Sequence, residues 1–316
     1  MDALIGYTGF VGGCLRRQRG FDQYVNRSNI DALAGAAFDT VVCAAAPGSM
    51  FEANRDPERD ERHIRALIDQ LRRIRAKHFI LISTIAVLEK FSANSEMEAR
   101  YETELAYGRN RRALEVAMAD HFPNTLIVRL PALFGSGLKK NFLFDILNPM
   151  PSMLPSARLA ALSDTLEAQD ADLVGRLYKH SVALDMMVLD RADLQASGRR
   201  SALEVAVEAA GFAASGFTNP DSEFQFYNMA RLWGDIERGL AANLSVLHIA
   251  PPPLKAAAVY AAVNGTPMPR HNARLHREDM RTAHAALWDQ KGAYLAKPDT
   301  LLSELAEFIA VQRAVA

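Results

Sequence analysis

The chain has 316 residues, which is enough for one large domain or two coupled ones. Hydrophobic residues make up 49% of it and charged residues 23%, an ordinary balance for a protein with a buried core. A net charge of −1 gives no bulk attraction to nucleic acid or to an acidic membrane surface, so neither partner is expected.

The apolar segments and the cysteines bear on location and on metal binding. The sequence has no run of 18 apolar residues and no basic segment followed by an apolar one at its start. We therefore expect neither a membrane-spanning helix nor a signal peptide, and a cytoplasmic location. Cys14 and Cys43 are too few for a disulfide framework or a metal site, so we expect buried free thiols and no metal.

The first 130 residues alternate short apolar runs with helical patterns. The predicted strands are residues 3–5, 24–25, 39–46, 79–82 and 125–128. The predicted helices are residues 10–17, residues 55–77 and a segment within 97–121. Strands that alternate with helices at this spacing indicate parallel βαβ units with right-handed crossovers. The predicted fold is therefore a doubly wound α/β sheet.

After Pro131 the pattern changes to a more helical one. Residues 148–155 contain three prolines and are predicted to form a loop. The later predicted helices are residues 170–181, 201–210, 229–242, 255–263 and 300–313, and the predicted strands are residues 224–227 and 246–249. We expect one domain over residues 1–150 and a smaller, mostly helical part over residues 151–316, from which strands or helices can return to the first sheet.

Three glycines separate the first predicted strand from the first predicted helix with the spacing Gly-x-x-Gly-x-x-Gly. Glycine permits a positive φ in a tight turn and lets a pyrophosphate approach the backbone, while the helix N-terminus behind it supplies free N–H groups. This context favours a Rossmann-type dinucleotide site over a tight turn without a ligand. The predicted contacts are Gly6, Thr8, Gly9, Phe10, Val11 and Gly12.

The residues after the second predicted strand bear on the choice of cofactor. An acidic residue there would bind the ribose 2′-hydroxyl of NAD, but the sequence has Asn26, Arg27 and Ser28, and no carboxylate before Asp31. Arg27 and Ser28 could bind a 2′-phosphate, since arginine donates two parallel hydrogen bonds to phosphate oxygens. These residues favour NADP over NAD; the alternative for Arg27 is a solvated loop arginine.

Two further features follow the glycine turn in order along the chain: Ser83-Thr84 at the end of a strand, and Tyr107 with Arg111 four residues later on a helix. Over about residues 1–145 the chain resembles the extended short-chain dehydrogenase/reductase superfamily, the proteins similar to NAD-dependent epimerases and dehydratases. The resemblance implies that Tyr107 donates or accepts a proton and that Thr84 orients the substrate oxygen, with Ser83 as the less favoured alternative.

Arg111 occupies the position of the lysine of this superfamily. The lysine lowers the pKa of the tyrosine and binds the nicotinamide ribose, and the resemblance implies the same catalytic and cofactor-binding roles for Arg111 beside Tyr107. Arginine keeps the positive charge but is bulkier and always protonated, so its geometry must differ.

The resemblance also implies contacts outside these motifs. Further predicted cofactor contacts are Ala44, Ala45 and Ala46 at the end of the third predicted strand and Pro131 after the fifth. The predicted substrate contacts, beside Thr84, are Lys139, Lys140, Asn141, Tyr227 and Arg231. The first three correspond to a segment that contacts the nucleotide diphosphate in relatives acting on sugar nucleotides; the alternative is that the two lysines are simply solvated.

The residues after Thr84 narrow the range of reactions that the resemblance allows. The dehydratases of the superfamily carry Asp-Glu there, whereas this chain has Ile85 and Ala86, which exchange no proton. The segment between the glycine turn and residues 39–46 has room for only one strand, as in the dTDP-4-dehydrorhamnose reductase type. We expect an NADP-dependent reductase acting on a nucleotide-linked sugar, or an epimerase that oxidises it transiently.

Two questions stay open at this level. One is whether the protein has lost catalysis and acts as a dinucleotide-binding sensor, an alternative that the arginine at position 111 supports. The other is whether it forms a homodimer. Many members of the superfamily dimerise through two long helices, which correspond here to about residues 55–76 and 98–120.

Overall fold

A computed structural model describes residues 1–314 of the chain and divides it into two compact units. The first unit comprises Met1–Leu138, Glu223–Leu254 and Arg277–Glu304, and the second comprises Lys139–Ser222, Lys255–His276 and the remainder from Leu305. The first unit therefore ends before residue 150 and takes back two later segments.

The elements alternate along the chain as follows. The strands are β1 Asp2–Ile5, β2 Gln23–Val25, β3 Ala37–Cys43, β4 Arg75–Thr84, β5 Ser92–Ala93, β6 Thr125–Leu130, β7 Ala132–Phe134, β8 Met153–Leu154, β9 Tyr178–Ser181, β10 Met186–Leu189, β11 Glu223–Phe224, β12 Phe226–Asn228, β13 Val246–His248, β14 Leu254–Lys255 and β15 Asp279–Met280. The helices are α1 Phe10–Gln18, α2 Met50–Arg55, α3 Pro57–Leu71, α4 Ala106–His121, α5 Phe142–Leu147, α6 Ser156–Ser163, α7 Ala168–Leu177, α8 Arg191–Ala196, α9 Arg200–Ala209, α10 Leu232–Ala241, α11 Ala256–Asn264 and α12 Pro298–Ala314.

The first unit is built on a six-stranded sheet in the order β2-β1-β3-β4-β6-β13. Every neighbouring pair in it is parallel. A single strand, β2, lies between the glycine turn and β3, as the short spacing predicts. The predicted doubly wound, Rossmann-type α/β fold is confirmed, and the sheet is completed by β13, which returns from the later part of the chain.

Alternate residues of the central strands face opposite sides of the sheet. Val41 and Phe79 belong to one buried cluster, together with residues of α3 and α4. Val42 and Ile80 belong to the other, together with residues of α1 and α10. Strands covered by helices on both faces require the nearly continuous apolar sequence that β3 and β4 have.

The connections that leave β1 and β3 indicate where on the sheet a ligand site is expected. The chain leaves β1 to form β2 on one side, whereas β3 and then β4 lie on the other. The carboxyl ends of β1 and β3 thus flank the point where the strand order reverses, and open α/β sheets bind their ligands there.

The second unit has its own core. An antiparallel sheet in the order β8-β10-β9 is packed with helices α6 to α9 around buried leucine and valine side chains. They include Leu154, Leu162, Val174, Leu194, Leu203 and Val207.

Four predicted elements are wrong in part. The predicted helix over residues 55–77 is two helices and the start of a strand. Asp56 caps the start of α3, where its carboxylate accepts a hydrogen bond from the Arg59 amide, and Pro57 lies in the first turn. After α3 ends, Arg75 pairs with Ala37 of β3, and the chain is strand from there. Local apolar spacing does not report this pairing with a distant segment.

The other three corrections also concern where strands begin and end. The strand predicted over residues 39–46 begins at Ala37 and ends at Cys43, so the three alanines after it form a loop. The helix predicted over residues 170–181 ends at Leu177, because β9 pairs with β10. The loop predicted over residues 148–155 includes the short strand β8, which also pairs with β10.

Two simpler features of the described residues bear on the sequence analysis. Within residues 1–314, no helix combines the length and the apolar character needed to cross a lipid bilayer. Cys14 and Cys43 are buried free thiols, as predicted.

A buried ion pair joins α4 to the sheet. Glu115 on α4 and Arg129 on β6 are both fully buried, and the guanidinium donates to both carboxylate oxygens at 3.0 and 2.8 Å. Glu115 also accepts a hydrogen bond from Ser83 of β4 at 2.6 Å, and Arg129 lies 3.0 Å from the imidazole of His248 on β13. The pair therefore fixes α4 against three strands at once.

We predict that Glu115→Ala lowers the free energy of unfolding by about 3–5 kcal/mol, because it leaves the Arg129 charge buried without an opposite charge. Urea denaturation measures this loss. Glu58→Ala is the control, since the Glu58 side chain is 88% exposed and its ion pair with Arg62 is weak. Equal stability of the two variants would show that the buried pair does not hold the helix.

Candidate dinucleotide and catalytic site

The glycine turn between β1 and α1 is held by its own backbone. Gly6 has φ of +90°, and its amide donates to the carbonyl of Val25 at 2.7 Å. A β-carbon on Gly6 would lie 2.5 Å from the carbonyl oxygen of Ala44, and one on Gly12 would overlap the carbonyl of Gly6. Protein geometry alone therefore requires glycine at positions 6 and 12.

Gly9 is different. Its φ of −76° is accessible to any residue, and a β-carbon there would meet nothing closer than 3.4 Å. It is the N-cap residue of α1 and has no side chain that could accept a hydrogen bond. The N–H groups of the first turn therefore receive no side-chain cap from it. A glycine that the protein itself does not need, at the N-terminus of a helix, fits close approach by a phosphate group.

The other residues of the turn and of the nearby loop have the exposure that such a site needs. Thr8 is exposed, and Phe10 and Val11 are half-buried. Ala44, Ala45 and Ala46 are half-buried as well, and the close approach of Gly6 places Ala44 and Ala45 directly against the turn.

The segment after β2 keeps Arg27 exposed. Asn26 accepts hydrogen bonds from the Ser28 amide at 2.8 Å and the Ser28 hydroxyl at 2.6 Å, which shapes the loop. Asp31, the first carboxylate in this segment, is paired with Arg73 at 3.3 Å. The loop therefore offers a cation rather than a free carboxylate beside the turn.

Tyr107 is placed by an unusually close contact of α4. A β-carbon on Gly108 would overlap the carbonyl oxygen of Ala86, so the first turn of α4 lies directly on the short 3₁₀ turn Ile85–Val87. The amide of Tyr107 donates to the side chain of Asn54 at 2.9 Å. These two contacts bring the phenol to the end of β4. The sequence analysis overlooked Gly108, although a glycine near the start of a helix is a visible sign of close packing.

The contacts of the two hydroxyls at the end of β4 differ. Ser83 donates to the buried Glu115, whereas the hydroxyl of Thr84 lies near the phenol of Tyr107 and lowers its pKa. Thr84 also accepts from the amide of Ala86 at 3.2 Å, which fixes its orientation. The geometry therefore favours Thr84 over Ser83 as the hydroxyl that works with the tyrosine.

Arg111 is 2% exposed and lies over the Tyr107 ring, with the guanidinium carbon 4.0 Å from the ring centre. It forms a short ion pair with Asp60 of α3 and donates to the carbonyl of Pro47 at 2.6 Å. Its Nε is buried and has no hydrogen-bond partner within residues 1–314. A lysine would place a single mobile ammonium group near the tyrosine, whereas the guanidinium of Arg111 is held beside the Tyr107 ring by its hydrogen bonds.

Asp60 is a site residue that the sequence did not reveal. It is 5% exposed and also accepts a hydrogen bond from Asn110 at 2.9 Å. Nothing local in the sequence indicates that Asp60 has a partner on α4. The carboxylate neutralises much of the charge that Arg111 presents to the phenol.

The environment of the phenol raises its pKa. Burial raises the pKa of Tyr107 above its usual value, while the Arg111 guanidinium and the Thr84 hydroxyl work against the rise. The charge of Asp60 adds to the rise. The phenol therefore keeps its proton at neutral pH.

Two of the predicted substrate residues already have side-chain partners in the protein. Tyr227 is 5% exposed and donates to Asp235 at 2.6 Å, and Arg231 is paired with Glu304. Pro131, predicted to contact the cofactor, is buried between β6 and β7.

The segment predicted to contact the diphosphate lies in the second unit. Lys139 and Lys140 are exposed. Asn141 has φ of 112°, and its side chain accepts hydrogen bonds from the amides of Leu143 and Phe144 at the start of α5.

Solved structures similar to this chain are reductases and epimerases. RMD from Pseudomonas aeruginosa, solved with NADPH, is 16% identical with a TM-score of 0.59, over 100% of this chain and 99% of its own. UDP-glucose 4-epimerase from Thermotoga maritima, solved with UDP-glucose, is 12% identical with a TM-score of 0.58, over 100% and 99%. A dTDP-4-dehydrorhamnose reductase from Clostridium acetobutylicum is 13% identical with a TM-score of 0.57, over 99% and 100%.

No protein-family sequence model and no curated protein sequence matches the chain. At 12–16% identity, the likeness to solved structures establishes the fold, and it extends over the whole of both chains. The protein has the fold of the extended short-chain dehydrogenases/reductases, the group that includes the epimerases and dehydratases of sugar nucleotides.

Proposed function

We propose that the protein is an NADP-dependent reductase that acts on a nucleotide-linked keto-sugar. The observation that carries the proposal is the contact between Thr84 and Tyr107 at the carboxyl edge of the sheet that also carries the open glycine turn. A phenol and a hydroxyl that lie close together can bind one carbonyl oxygen together, which is what reduction of a ketone needs.

The roles of the residues follow from their contacts. When bound, the nicotinamide supplies the hydride. The amides at the start of α1 bind the pyrophosphate, with Gly9 leaving room for it. Thr84 orients the substrate oxygen, and Tyr107 gives it a proton as the carbonyl becomes a hydroxyl. Arg111 holds the phenol ring in place from its other side.

The state of the phenol favours reduction over epimerisation. An epimerase that oxidises its substrate needs the tyrosine to accept a proton first, and that role suits a lowered pKa. Here burial raises the pKa of Tyr107, and Asp60 offsets the one nearby cation. A phenol that keeps its proton is suited to donate it.

The cofactor preference rests on Arg27 and on the pairing of Asp31 with Arg73. An exposed arginine beside the turn can bind a 2′-phosphate, and the nearest carboxylate is already engaged. The substrate class is supported by the neighbouring structure with UDP-glucose and by the exposed Lys139 and Lys140. A homodimer and a cytoplasmic location complete the proposal.

A second candidate is a dinucleotide-binding sensor without turnover. It is favoured by the clamped position of Arg111, whose Nη atoms are engaged by Asp60, Pro47 and the Tyr107 carbonyl. Such a protein would bind NADPH but would not oxidise it, whatever substrate is offered. The reductase is preferred because Thr84 and Tyr107 are kept together.

We predict that Tyr107→Phe retains NADPH binding and lowers the rate of NADPH oxidation by roughly 10²–10⁴-fold, because no other phenol can supply the proton. The assay uses a panel of keto-sugar nucleotides. Tyr260→Phe, on α11, is the control and should behave like the unchanged protein. Full activity in Tyr107→Phe would exclude the mechanism, and tight NADPH binding with no turnover of any substrate would favour the sensor.

We predict that Gly9→Val weakens NADPH binding by more than about tenfold while the melting temperature changes little, because the added side chain meets the ligand and not the protein. Calorimetric titration and thermal unfolding measure the two effects. Gly13→Ala is the matched control, since a β-carbon there has no neighbour closer than 3.7 Å. Unchanged binding in Gly9→Val would mean that the turn does not hold the pyrophosphate.

The pH dependence of reduction should report the phenol. Because the protonated form is the donor, the rate falls as pH rises through the pKa of Tyr107, and burial raises this pKa and moves the fall to higher pH. We predict that Asp60→Asn moves the fall to lower pH, since it removes a charge that raises this pKa.

Glu58→Gln, on the exposed face of the same helix, is the control for Asp60→Asn and should leave the pH profile where it is. Thermal unfolding of both variants separates loss of structure from the shift in pH dependence. An Asp60→Asn profile that coincides with that of the unchanged protein would show that the carboxylate does not influence the phenol.

A further inference from the structure

The first unit contains a buried histidine whose protonation state is fixed by its two neighbours. His248 is the last residue of β13 and is fully buried. Its Nδ1 lies 2.8 Å from the carbonyl oxygen of Arg281, and its Nε2 lies 3.0 Å from a guanidinium nitrogen of Arg129. A carbonyl oxygen only accepts hydrogen bonds and a guanidinium only donates them. The imidazole is therefore neutral, with its proton on Nδ1 and the lone pair of Nε2 directed at Arg129.

The charged side chains around this ring are one cation and two carboxylates: Arg129 on β6, Glu115 on α4 and Glu96 in the segment after β5. Burial lowers the pKa of His248 most strongly, and the Arg129 charge lowers it further. The two carboxylates and the hydrogen bond to the Arg281 carbonyl oppose this, but the pKa stays below its usual value. A proton on Nε2 would place two donors against each other, because Arg129 has no lone pair to offer.

Glu96 connects the histidine to a turn that follows much later in the chain. Its carboxylate is buried and accepts hydrogen bonds from the His248 amide at 3.1 Å, the Thr282 hydroxyl at 2.6 Å and the Ala283 amide at 2.9 Å. The imidazole binds the carbonyl of Arg281 in the same turn. These five residues form one hydrogen-bonded group, which we call the His248 cluster.

The segment of residues 92–100, which carries Glu96, is held to the sheet at few points. Within this described segment, only Ala93 and Glu96 are buried, and Met97 is 92% exposed. Its strand β5 has two residues, which pair with the two residues of β15. The amide of Arg281 donates to the carbonyl of Ala93 at 3.0 Å. A segment with few buried side chains and a short strand pairing opens at a low free energy.

We propose that the His248 cluster is an acid-sensitive switch that holds residues 92–100 in place. A proton taken from solvent by Nε2 turns this atom into a donor that faces Arg129. The ring then leaves its position between Arg129 and the Arg281 carbonyl, and the turn at residues 281–283 loses one of its two anchors. Residues 92–100 open together with this turn, because Glu96 and Ala93 are bound to it.

The segment that opens lies between the two candidate catalytic residues in the chain. It follows β4, which ends at Thr84, and precedes α4, which carries Tyr107. An acid-sensitive segment at this place would make the arrangement of Thr84 and Tyr107 depend on pH. Stability and hydrogen exchange report the switch without a substrate, so its test does not depend on the proposed reductase activity.

The pH dependence of stability tests the switch. A histidine whose pKa is lowered by folding binds fewer protons in the folded protein than in the unfolded chain, so stability falls as pH drops below about 6.5. We predict that the free energy of unfolding, measured by urea denaturation from about pH 7.5 to 5, falls less steeply in His248→Gln. Glutamine offers Arg129 an acceptor oxygen and takes up no proton. The difference in slope should be about half a proton or more per chain.

His78→Gln is the matched control, since His78 is an exposed histidine on β4, and it should keep the slope of the unchanged protein. Burial raises the pKa of Glu96, but its hydrogen bonds and the nearby His248 outweigh burial and lower the pKa below its usual value. Glu96 therefore stays ionised through the range of the measurement. Equal slopes in His248→Gln and the unchanged protein would overturn the proposal.

Hydrogen exchange shows where the protein opens. The amides of Arg281 and Ala283 donate to Ala93 and Glu96, so their protection factors should fall by about tenfold or more from about pH 7.5 to 5.5. The amides of α3 should stay protected over the same range, and His248→Gln should lose the fall. An equal loss of protection in α3 would overturn the proposal, because it would indicate general unfolding in acid.

The unchanged protein also reports the tautomer directly. Long-range ¹H–¹⁵N spectra of histidine-labelled protein should show, at about pH 7.5, a neutral ring with its proton on Nδ1. The signal of this ring should be missing in His248→Gln. If every histidine ring were charged or carried its proton on Nε2 at this pH, the proposal would be overturned, even if His248→Gln failed to fold.

Discussion

The contact between Gly108 and the carbonyl of Ala86 is the constraint on which the candidate catalytic site depends. Any side chain at position 108 would push the first turn of α4 away from the end of β4. With glycine there, the phenol of Tyr107 reaches Thr84, and the pair Glu115–Arg129 fixes the next turns of the same helix to the sheet.

The second determining feature is the buried guanidinium of Arg111. Arginine in a buried position needs several hydrogen-bond acceptors, and Asp60 and the Pro47 carbonyl supply them. The cost of this arrangement is that the positive charge is shared with a carboxylate rather than directed at the phenol alone. Burial and the charge of Asp60 therefore raise the pKa of Tyr107, and Arg111 only partly opposes this rise.

Several parts of the fold and site were predictable because they depend on local pattern. The apolar runs of β3 and β4, the glycine spacing and the four-residue interval from Tyr107 to Arg111 are all visible along the chain. The predicted helix over residues 55–77 fails where local pattern ends: Arg75 follows a regular apolar spacing, yet it is strand because Ala37 lies beside it. The preference for Thr84 over Ser83 came from the resemblance alone, and the hydrogen bond from Ser83 to Glu115, a residue distant in sequence, agrees with it.

The sequence by itself determined the parallel α/β architecture, the turn at Gly6 and Gly12, and the residue types at the candidate catalytic positions, because side-chain period and backbone freedom are properties of short segments. Only the tertiary structure decided that Asp60 pairs with Arg111 and that Tyr227 is engaged by Asp235. It also decided that Gly9 is a glycine the protein does not itself require. Those outcomes depend on which helices and strands pack together, and the chemistry of a charged or small residue does not name its partner in advance.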